Sequence, residues 1–363
     1  MARLARIELF APSEIATVHV INRVVRRCFL FGYDPVSGKN FDHRKVWIED
    51  RLRCLAASFG IDLLSFSILS NHFHLILRSR PDVVATWTDS EVACRWLTLC
   101  PLRKKKDVTP EEPTKSELNS IRNNAVRLAQ IRTRLSDIGW WMRLLCQHIA
   151  VRANREDAEV GKFFQSRYRA VRLCDEEAIL ACSAYVDLNP IRAKLAETIE
   201  DSDFTSAQRR IESLGKQTTP GQTPEAKTSE KMANSNSKGD GFLSPLSIDE
   251  LRDALGADPS TNGMRCSEKG FLPMTTLDYL ALLDWTARRV VPGKHGTTSE
   301  STPSIFERLS LQPNTWIALV TKFGKLFNHV AGRPKVIDDI RSRIHHRRFN
   351  LRRAARELLE TEA

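Results

Sequence analysis

The chain has 363 residues, of which 42% are hydrophobic and 27% are charged, so it can form one sizeable domain and a smaller second one. It contains no run of roughly eighteen or more apolar residues and no secretory signal, so we expect a cytoplasmic protein with no membrane partner. The formal net charge of +11 is compatible with binding to a phosphate backbone, and so with a nucleoid-associated protein, although charge alone does not establish it.

The first elements in chain order are a strand, a helix and a hairpin. The β-branched run at 17–22 predicts a buried strand, and apolar residues at helical spacing predict a helix that ends at Gly60. Two strand-like runs, 61–69 and 73–78, are separated by a short polar break, which is typical of a hairpin.

The next part of the chain is mainly helical. Apolar stripes from Asp82 onward predict helices, and the charged segment at about 103–135 is interpreted as an insertion. A short strand is predicted over 168–174 and a helix over 175–188, with acidic residues near its start. The helix is expected to stop before Pro190, because proline disfavours helical geometry in the preceding residue.

The composition changes after the first two hundred residues. Residues 212–245 are rich in Ser, Thr, Pro, Gly, Asn and Lys, which is typical of a disordered linker. Apolar periodicity returns later, so 246–363 is predicted to be a small, helical, basic domain. The candidate functional residues described below all lie in the domain before the linker, 1–211.

His72 and His74 are the first candidate functional residues. Two residues apart on a strand, their imidazoles project from one face of the sheet and can converge on one metal ion. Paired histidines on a strand are also common as ordinary surface or core residues. A histidine-triad nucleotide hydrolase would need a third alternating histidine, but that position is Ile76.

Tyr185 lies near the end of the predicted helix 175–188, and Asn189 follows it by four residues and so faces the same way. A tyrosine in a helix commonly packs its ring and hydrogen-bonds its hydroxyl. As a nucleophile it would need a metal or a base beside it, because an unperturbed phenol has a pKa of about 10. Asn189 can be a metal ligand or can cap the helix end.

These residues together resemble the single-tyrosine HUH transposases, and in particular the REP-associated tyrosine transposases. The similarity runs from about residue 17 to residue 211, apart from the insertion, and its motifs occur in the family's order. The motifs are Asn71-His72-Phe73-His74, Phe164-Gln165-Ser166-Arg167-Tyr168 and Tyr185-Val186-Asp187-Leu188-Asn189-Pro190-Ile191-Arg192-Ala193.

The resemblance implies a ferredoxin-like α+β fold, with an antiparallel sheet and helices on one face, often assembled as a homodimer. It implies that Tyr185 attacks a phosphodiester of single-stranded DNA, becomes joined to the 5′ phosphate and releases a 3′ hydroxyl, which allows later rejoining. His72, His74 and Asn189 match the positions that hold Mg²⁺ or Mn²⁺.

Arginines near the first strand and in two of the motifs are expected to contact the DNA backbone, with a hairpin near the cut site recognised by its shape and unpaired bases. They are Arg23, Arg26, Arg27, Arg167 and Arg192.

Three other functions remain open. A replication initiator or relaxase shares the histidine pair, but many of these carry two tyrosines on the active helix, and here the neighbouring turns hold Ala181 and Asn189. A transposase-derived protein can bind DNA hairpins without cutting them. A generic metal phosphohydrolase would give a hydrolysed product and no covalent adduct.

Overall fold

The computed structural model describes residues 9–25, 30–103, 112–165, 167–217, 239–253, 256–290, 304–344 and 349–360. Within these ranges the strands are β1 (Thr17–Arg23), β2 (Ile61–Ile68), β3 (His72–Ser79), β4 (Arg169–Leu173) and β5 (Val330–Ala331). The helices are α1 (His43–Ser58), α2 (Pro81–Thr86), α3 (Asp89–Leu99), α4 (Lys115–Arg122), α5 (Ala125–Leu135), α6 (Ile138–Asp157), α7 (Glu176–Asp187), α8 (Asn189–Arg192), α9 (Ser206–Gln217), α10 (Glu250–Asp253), α11 (Thr276–Val290), α12 (Ile305–Arg308), α13 (Pro313–Leu326), α14 (Pro334–Ile344) and α15 (Arg353–Glu360).

The predicted order of strand, helix and hairpin is confirmed, with one shifted boundary. α1 begins at His43, before the apolar pattern that predicted it. Its first turn is polar, yet Arg44 is fully buried because its guanidinium pairs with Glu156 and Asp157 at the end of α6. An arginine that is buried through an ion pair does not contribute to a pattern of apolar residues. The apolar pattern that predicts α1 therefore begins about one turn after the helix does.

The sheet has the strand order β2-β3-β1-β4-β5. β1 lies in the centre and pairs antiparallel with both β3 and β4, and β2 pairs antiparallel with β3. The two-residue strand β5 adds a parallel edge beside β4. The predicted α+β fold with an antiparallel sheet is therefore confirmed, and β5 extends that sheet.

One face of the sheet packs against α1 and α6. Alternate strand residues point to this side, and they form one apolar cluster with the inward residues of the two helices. Each fully buried aliphatic side chain contributes about 1.5–3 kcal/mol through the hydrophobic effect. The central members are Val18, Val20, Leu75, Leu77, Leu52, Leu55, Leu145 and Ile149.

The opposite face packs against α7. The Asp175 side chain caps this helix by accepting the Ala178 N–H at 2.9 Å, as the predicted helix start requires. Ile76 of β3 and Val171 of β4 form a second apolar cluster with α7 and with the C-terminal helices α11 and α13. The sheet thus carries helices on both faces: α1 and α6 lie on one, and the predicted helix that contains Tyr185 lies on the other with the C-terminal helices.

The C-terminal residues that the structure describes are in direct contact with the sheet domain. Tyr279 of α11 donates a hydrogen bond to the buried Asp187 carboxylate at the end of α7, at 2.7 Å. At the end of the predicted linker, Leu243 is fully buried and the Ser244 N–H donates to the Leu63 carbonyl. Residues 218–238 of the predicted linker lie outside the described residues, and the domain boundaries remain predictions.

The segment interpreted as an insertion forms α4 and α5 where the structure describes it. Ile121, Ile131 and Leu135 are buried in the same cluster as α1 and α6, so these helices complete that apolar layer. Their charged residues lie on the outer side, which explains the polar appearance of the sequence. Among the described residues, the structure contains no helix with the length and apolar character needed to span a membrane.

Candidate catalytic site

The predicted histidine pair lies at the start of β3, where the sheet faces α7. His72 pairs in register with Arg23 of β1, and His74 pairs with Ile21. Their ring centroids are 5.0 Å apart, so the structure brings the two imidazoles together on one face. A third histidine, His19 of β1, lies on the same face and contacts His74.

His19 and His74 are joined by a buried hydrogen bond between His19 Nε2 and His74 Nδ1, 2.9 Å long. Both side chains are almost fully buried, with exposures of 1% and 2%. The bond engages one nitrogen of His74 and leaves its Nε2 buried without a hydrogen-bond partner among the described residues. His19 thereby fixes which nitrogen of His74 is available to a ligand.

The three imidazoles are held in the neutral form. Burial, and to a smaller extent the charge of the nearby Arg169 guanidinium, lowers the pKa of His19 to about 3. Burial and then the charge of Arg23 lower the pKa of His72 to about 4, and burial also lowers the pKa of His74. Neutral imidazoles keep the lone pairs that a metal ion requires.

Tyr185 projects from α7 onto this histidine face. Its ring centroid is 5.4 Å from that of His74 and 5.9 Å from that of His19, both in edge-to-face arrangement. The Arg192 guanidinium lies 4.8 Å from the Tyr185 ring centroid. Burial raises the pKa of Tyr185, while the charge of Arg192 and a hydrogen bond with it act in the opposite direction. The phenol is therefore protonated at neutral pH.

The C-terminal helix α13 covers the other side of Tyr185. The Phe323 ring centroid is 5.7 Å from that of Tyr185 and 5.9 Å from that of His19. A Cβ added at Gly324 would lie 3.2 Å from the tyrosine hydroxyl oxygen, so glycine allows the close approach of α13. The Arg192 guanidinium donates to the Thr321 carbonyl at 2.5 Å, which ties α13 to the same group.

Asn189, predicted as either a metal ligand or a helix cap, lies at the start of α8 with an exposure of 9%. Its side-chain nitrogen is buried and has no hydrogen-bond partner among the described residues. A capping amide would donate from this nitrogen to a helix carbonyl, so the structure shows no such cap. The role of the side chain in holding a metal through its amide oxygen remains a prediction.

The arginines predicted to contact DNA occupy different environments. Arg192 lies beside Tyr185, and Arg23 lies near His72, as its effect on the pKa of that histidine shows. Arg167 is exposed in the segment before β4. Arg26 and Arg27 lie outside the described residues.

Sequence reasoning missed His19, Phe323 and Gly324. His19 and Ile21 are two residues apart on β1, so their side chains point to the same face of the sheet. Only the pairing register between β1 and β3 places His19 beside His74. Phe323 and Gly324 belong to a helix predicted to form a separate domain. No local pattern in the sequence connects them to Tyr185.

The residues present fit a divalent metal ion in their chemistry. His74 offers a buried nitrogen with no hydrogen-bond partner among the described residues, and His72 is neutral at physiological pH. The described residues contain no cluster of three or more His, Cys, Asp or Glu side chains suited to a metal ion. A site here would therefore combine the two imidazoles with an amide oxygen and with oxygens of a substrate.

The chain was also compared with known proteins. No family model and no curated protein matches it. One similar solved structure is that of a REP-associated tyrosine transposase bound to a REP hairpin, at 10% sequence identity and a TM-score of 0.31. The match covers 63% of this chain and 96% of the other. At that identity and TM-score, the likeness carries no argument about this chain's function.

Proposed function

We propose that the chain is a DNA strand transferase that cuts and rejoins single-stranded DNA, with Tyr185 as the nucleophile. The observation that carries the proposal is the placement of the Tyr185 ring against His74, a neutral histidine with a buried nitrogen that lacks a hydrogen-bond partner among the described residues. The sequence motifs around His72, Tyr185 and Arg192 and the basic net charge also support it.

In the proposed step, the Tyr185 oxygen attacks the phosphorus of a phosphodiester. A bond forms between the tyrosine oxygen and phosphorus, the bond from phosphorus to the 3′ oxygen breaks, and the phenol proton is lost while the 3′ oxygen gains one. The number of phosphoester bonds is unchanged, so a 3′ hydroxyl can reverse the reaction without an external energy source. Arg192 lies beside the phenol and would favour the phenolate and contact the phosphate.

A bound Mg²⁺ or Mn²⁺ ion would polarise a phosphate oxygen of the substrate. His72 and His74 would hold this ion, with Asn189 as the third ligand. His19 would keep the His74 ring in place through the hydrogen bond to its Nδ1.

The decisive experiment uses a single-stranded hairpin oligonucleotide from the DNA flanking the gene, incubated with the protein and Mn²⁺. We expect a protein–DNA adduct that survives denaturation. Tyr185→Phe should abolish the adduct and leave hairpin binding nearly intact, because it removes only the attacking oxygen and keeps the ring that packs against His74.

The matched control is Tyr279→Phe, since Tyr279 is a fully buried tyrosine whose hydroxyl donates a hydrogen bond to the Asp187 carboxylate. This variant should lose stability but still form the adduct while it is folded. An adduct with Tyr185→Phe would place the nucleophile elsewhere. Cut DNA without any adduct would indicate a phosphohydrolase, and binding without cutting would indicate a non-catalytic DNA-binding protein.

The role of Asn189 is tested by titrating Mn²⁺ against the rate of adduct formation. Asn189→Ala should raise the Mn²⁺ concentration that gives half the maximal rate, and Asn189→Asp should restore much of the loss because it keeps an oxygen at that reach. An unchanged half-saturation point in Asn189→Ala would remove this residue from the metal site.

A further inference from the structure

A group of arginines lies on the helical layer that covers the opposite side of the sheet from Tyr185. Arg134 of α5 and Arg143 of α6 both lie against the ring of Trp140, 4.5 and 4.7 Å from its centroid, and Arg51 of α1 belongs to the same layer. We call these three residues the arginine cluster. Their charges all act on the Cys100 thiol, lowering its pKa, which burial raises. Three cationic groups from three helices thus lie in one region of this layer.

The arginine cluster has no acidic partner among the described residues. Arg51 donates to the Cys54 sulfur at 3.5 Å, and its buried Nε has no hydrogen-bond partner there. Two arginines in the same layer differ from them, because Arg103 pairs with Glu117 and Arg132 pairs with Asp89. Guanidiniums without a paired carboxylate are available to donate hydrogen bonds to an anion such as a phosphate group.

Two tryptophans orient the guanidiniums of Arg134 and Arg143. Arg134 and Arg143 lie 4.5 and 4.7 Å from the ring centroid of Trp140, and Arg134 is also 5.6 Å from that of Trp96. Stacking on an aromatic ring orients an arginine and lowers the entropy lost when it binds a ligand. The guanidinium edges stay free to donate hydrogen bonds to phosphate oxygens.

The paired arginines of the C-terminal region differ in this respect. Arg343 is exposed but pairs with Asp339, and Arg353 pairs with Glu357, each four residues along its own helix. Their charge is compensated locally, so their contribution to an anion site is small. Arg51, Arg134 and Arg143 are therefore better suited to bind phosphate groups than Arg343 and Arg353 are.

We propose that Arg51, Arg134 and Arg143 form a second DNA-binding site, which holds the phosphate backbone of the DNA on the side of the sheet away from Tyr185. This inference rests on the proposed function for its choice of DNA as the polyanion. It goes beyond that function because the site takes no part in the chemical step. Its role is affinity, so its loss should weaken binding without preventing adduct formation at saturating DNA.

The test measures hairpin binding by fluorescence anisotropy over a range of KCl concentrations, in a Tyr185→Phe background that prevents covalent attachment. The triple variant Arg51→Gln, Arg134→Gln, Arg143→Gln should bind more weakly. The slope of log K against log salt should become shallower by roughly two to three, because each phosphate contact contributes about 0.7–0.9. Arg143→Gln alone, on an exposed side chain, should change it by about one.

The control variant also removes three positive charges, but from arginines that pair with carboxylates. It carries Arg103→Gln, Arg343→Gln and Arg353→Gln. Its slope should change by less than one. Equal slopes for the two triple variants, or an unchanged slope in both Arg143→Gln and the cluster triple variant, would overturn the second site. Thermal unfolding of each variant separates a binding defect from loss of the fold.

The adduct assay without the Tyr185→Phe background distinguishes the two proposals. An adduct together with an unchanged slope would refute the arginine cluster and leave the strand-transfer proposal standing. A shallower slope in the cluster variant without any adduct from the parent protein would support the second site and refute strand transfer. A parent protein that binds no hairpin DNA would overturn both.

Discussion

The two faces of the sheet are built from the same strands but with different chemistry. Towards α1 and α6, the strands β1 and β3 present Val18, Val20, Leu75 and Leu77, and the layer is held by apolar packing. Towards α7, the same two strands present three histidines, beside a tyrosine and two arginines. Because side chains alternate along a strand, a single strand can serve the core on one side and a reactive site on the other.

The face towards α7 also concentrates unsatisfied polar atoms. His19 Nδ1, His74 Nε2, Asn189 Nδ2 and one nitrogen of Arg192 are buried without hydrogen-bond partners among the described residues. Each such atom costs about 1–3 kcal/mol relative to a satisfied one. A fold bears such a cost where a ligand will supply the missing partners, which is the physical reason to look for a site on this face.

The largest effect that would test this contrast comes from two matched core variants. Phe323→Ala removes the ring that packs on Tyr185 and His19, and Phe59→Ala removes a fully buried ring that packs on Trp141 at the other face. Each should lower the free energy of unfolding by about 3–5 kcal/mol, measured by urea denaturation.

The adduct assay then separates the two faces. Phe323→Ala should change the rate of adduct formation at temperatures where it is folded, with an increase expected because the ring no longer covers the phenol. Phe59→Ala should leave the rate unchanged. An equal effect of the two variants on the rate would show that Phe323 acts only through stability.

This contrast also explains how much could be read from the sequence. His72 and His74 were identifiable because their spacing of two residues needs only a strand, and Tyr185 because its motif is local. His19 was not, since its contact depends on the register between β1 and β3. The cover by α13 was missed because it depends on packing between residues far apart in the chain, whereas the linker composition suggested independent domains.

The second prediction concerns His19 as a positioning residue. His19→Ala should weaken Mn²⁺ binding by roughly 10–100-fold, because the His74 ring loses the hydrogen bond that fixes its orientation. Isothermal titration calorimetry in a Tyr185→Phe background measures this without any activity. His19→Gln should restore part of the affinity, since an amide can still bond to Nδ1. Equal Mn²⁺ affinity for His19→Ala and the parent would show that His19 only fills space.

The third prediction is a pH dependence of stability in the absence of metal. His72 and His19 have native pKa values of about 4 and about 3, below the ordinary 6.5. The unfolded chain takes up protons below pH 6.5 while the native histidines do not, so their contribution to stability is lost as the pH falls from about 6.5 towards 4. Asp175 opposes this trend, because burial raises its pKa to about 6.

The measurement is therefore a difference between two proteins. Urea denaturation at several pH values, with EDTA present, should show a steeper loss of stability at low pH for the parent than for His19→Gln, His72→Gln. The limiting difference is about 1.4 kcal/mol per pH unit for each histidine replaced. Parallel pH profiles would mean that these histidines are not held neutral in the native state.

The smallest effect is expected at Gly324, in the last turn of α13. Replacing a helical glycine by alanine stabilises a helix by up to about 1 kcal/mol, but here the new Cβ would lie 3.2 Å from the Tyr185 oxygen. The phenol must move by a few tenths of an ångström, so Gly324→Ala should gain less stability than expected and should also change the adduct rate. Gly215→Ala in α9 is the control, because its Cβ would meet none of the described atoms within 4 Å. If both variants gain equal thermal stability and leave the adduct rate unchanged, the contact between α13 and Tyr185 is too loose to influence the nucleophile.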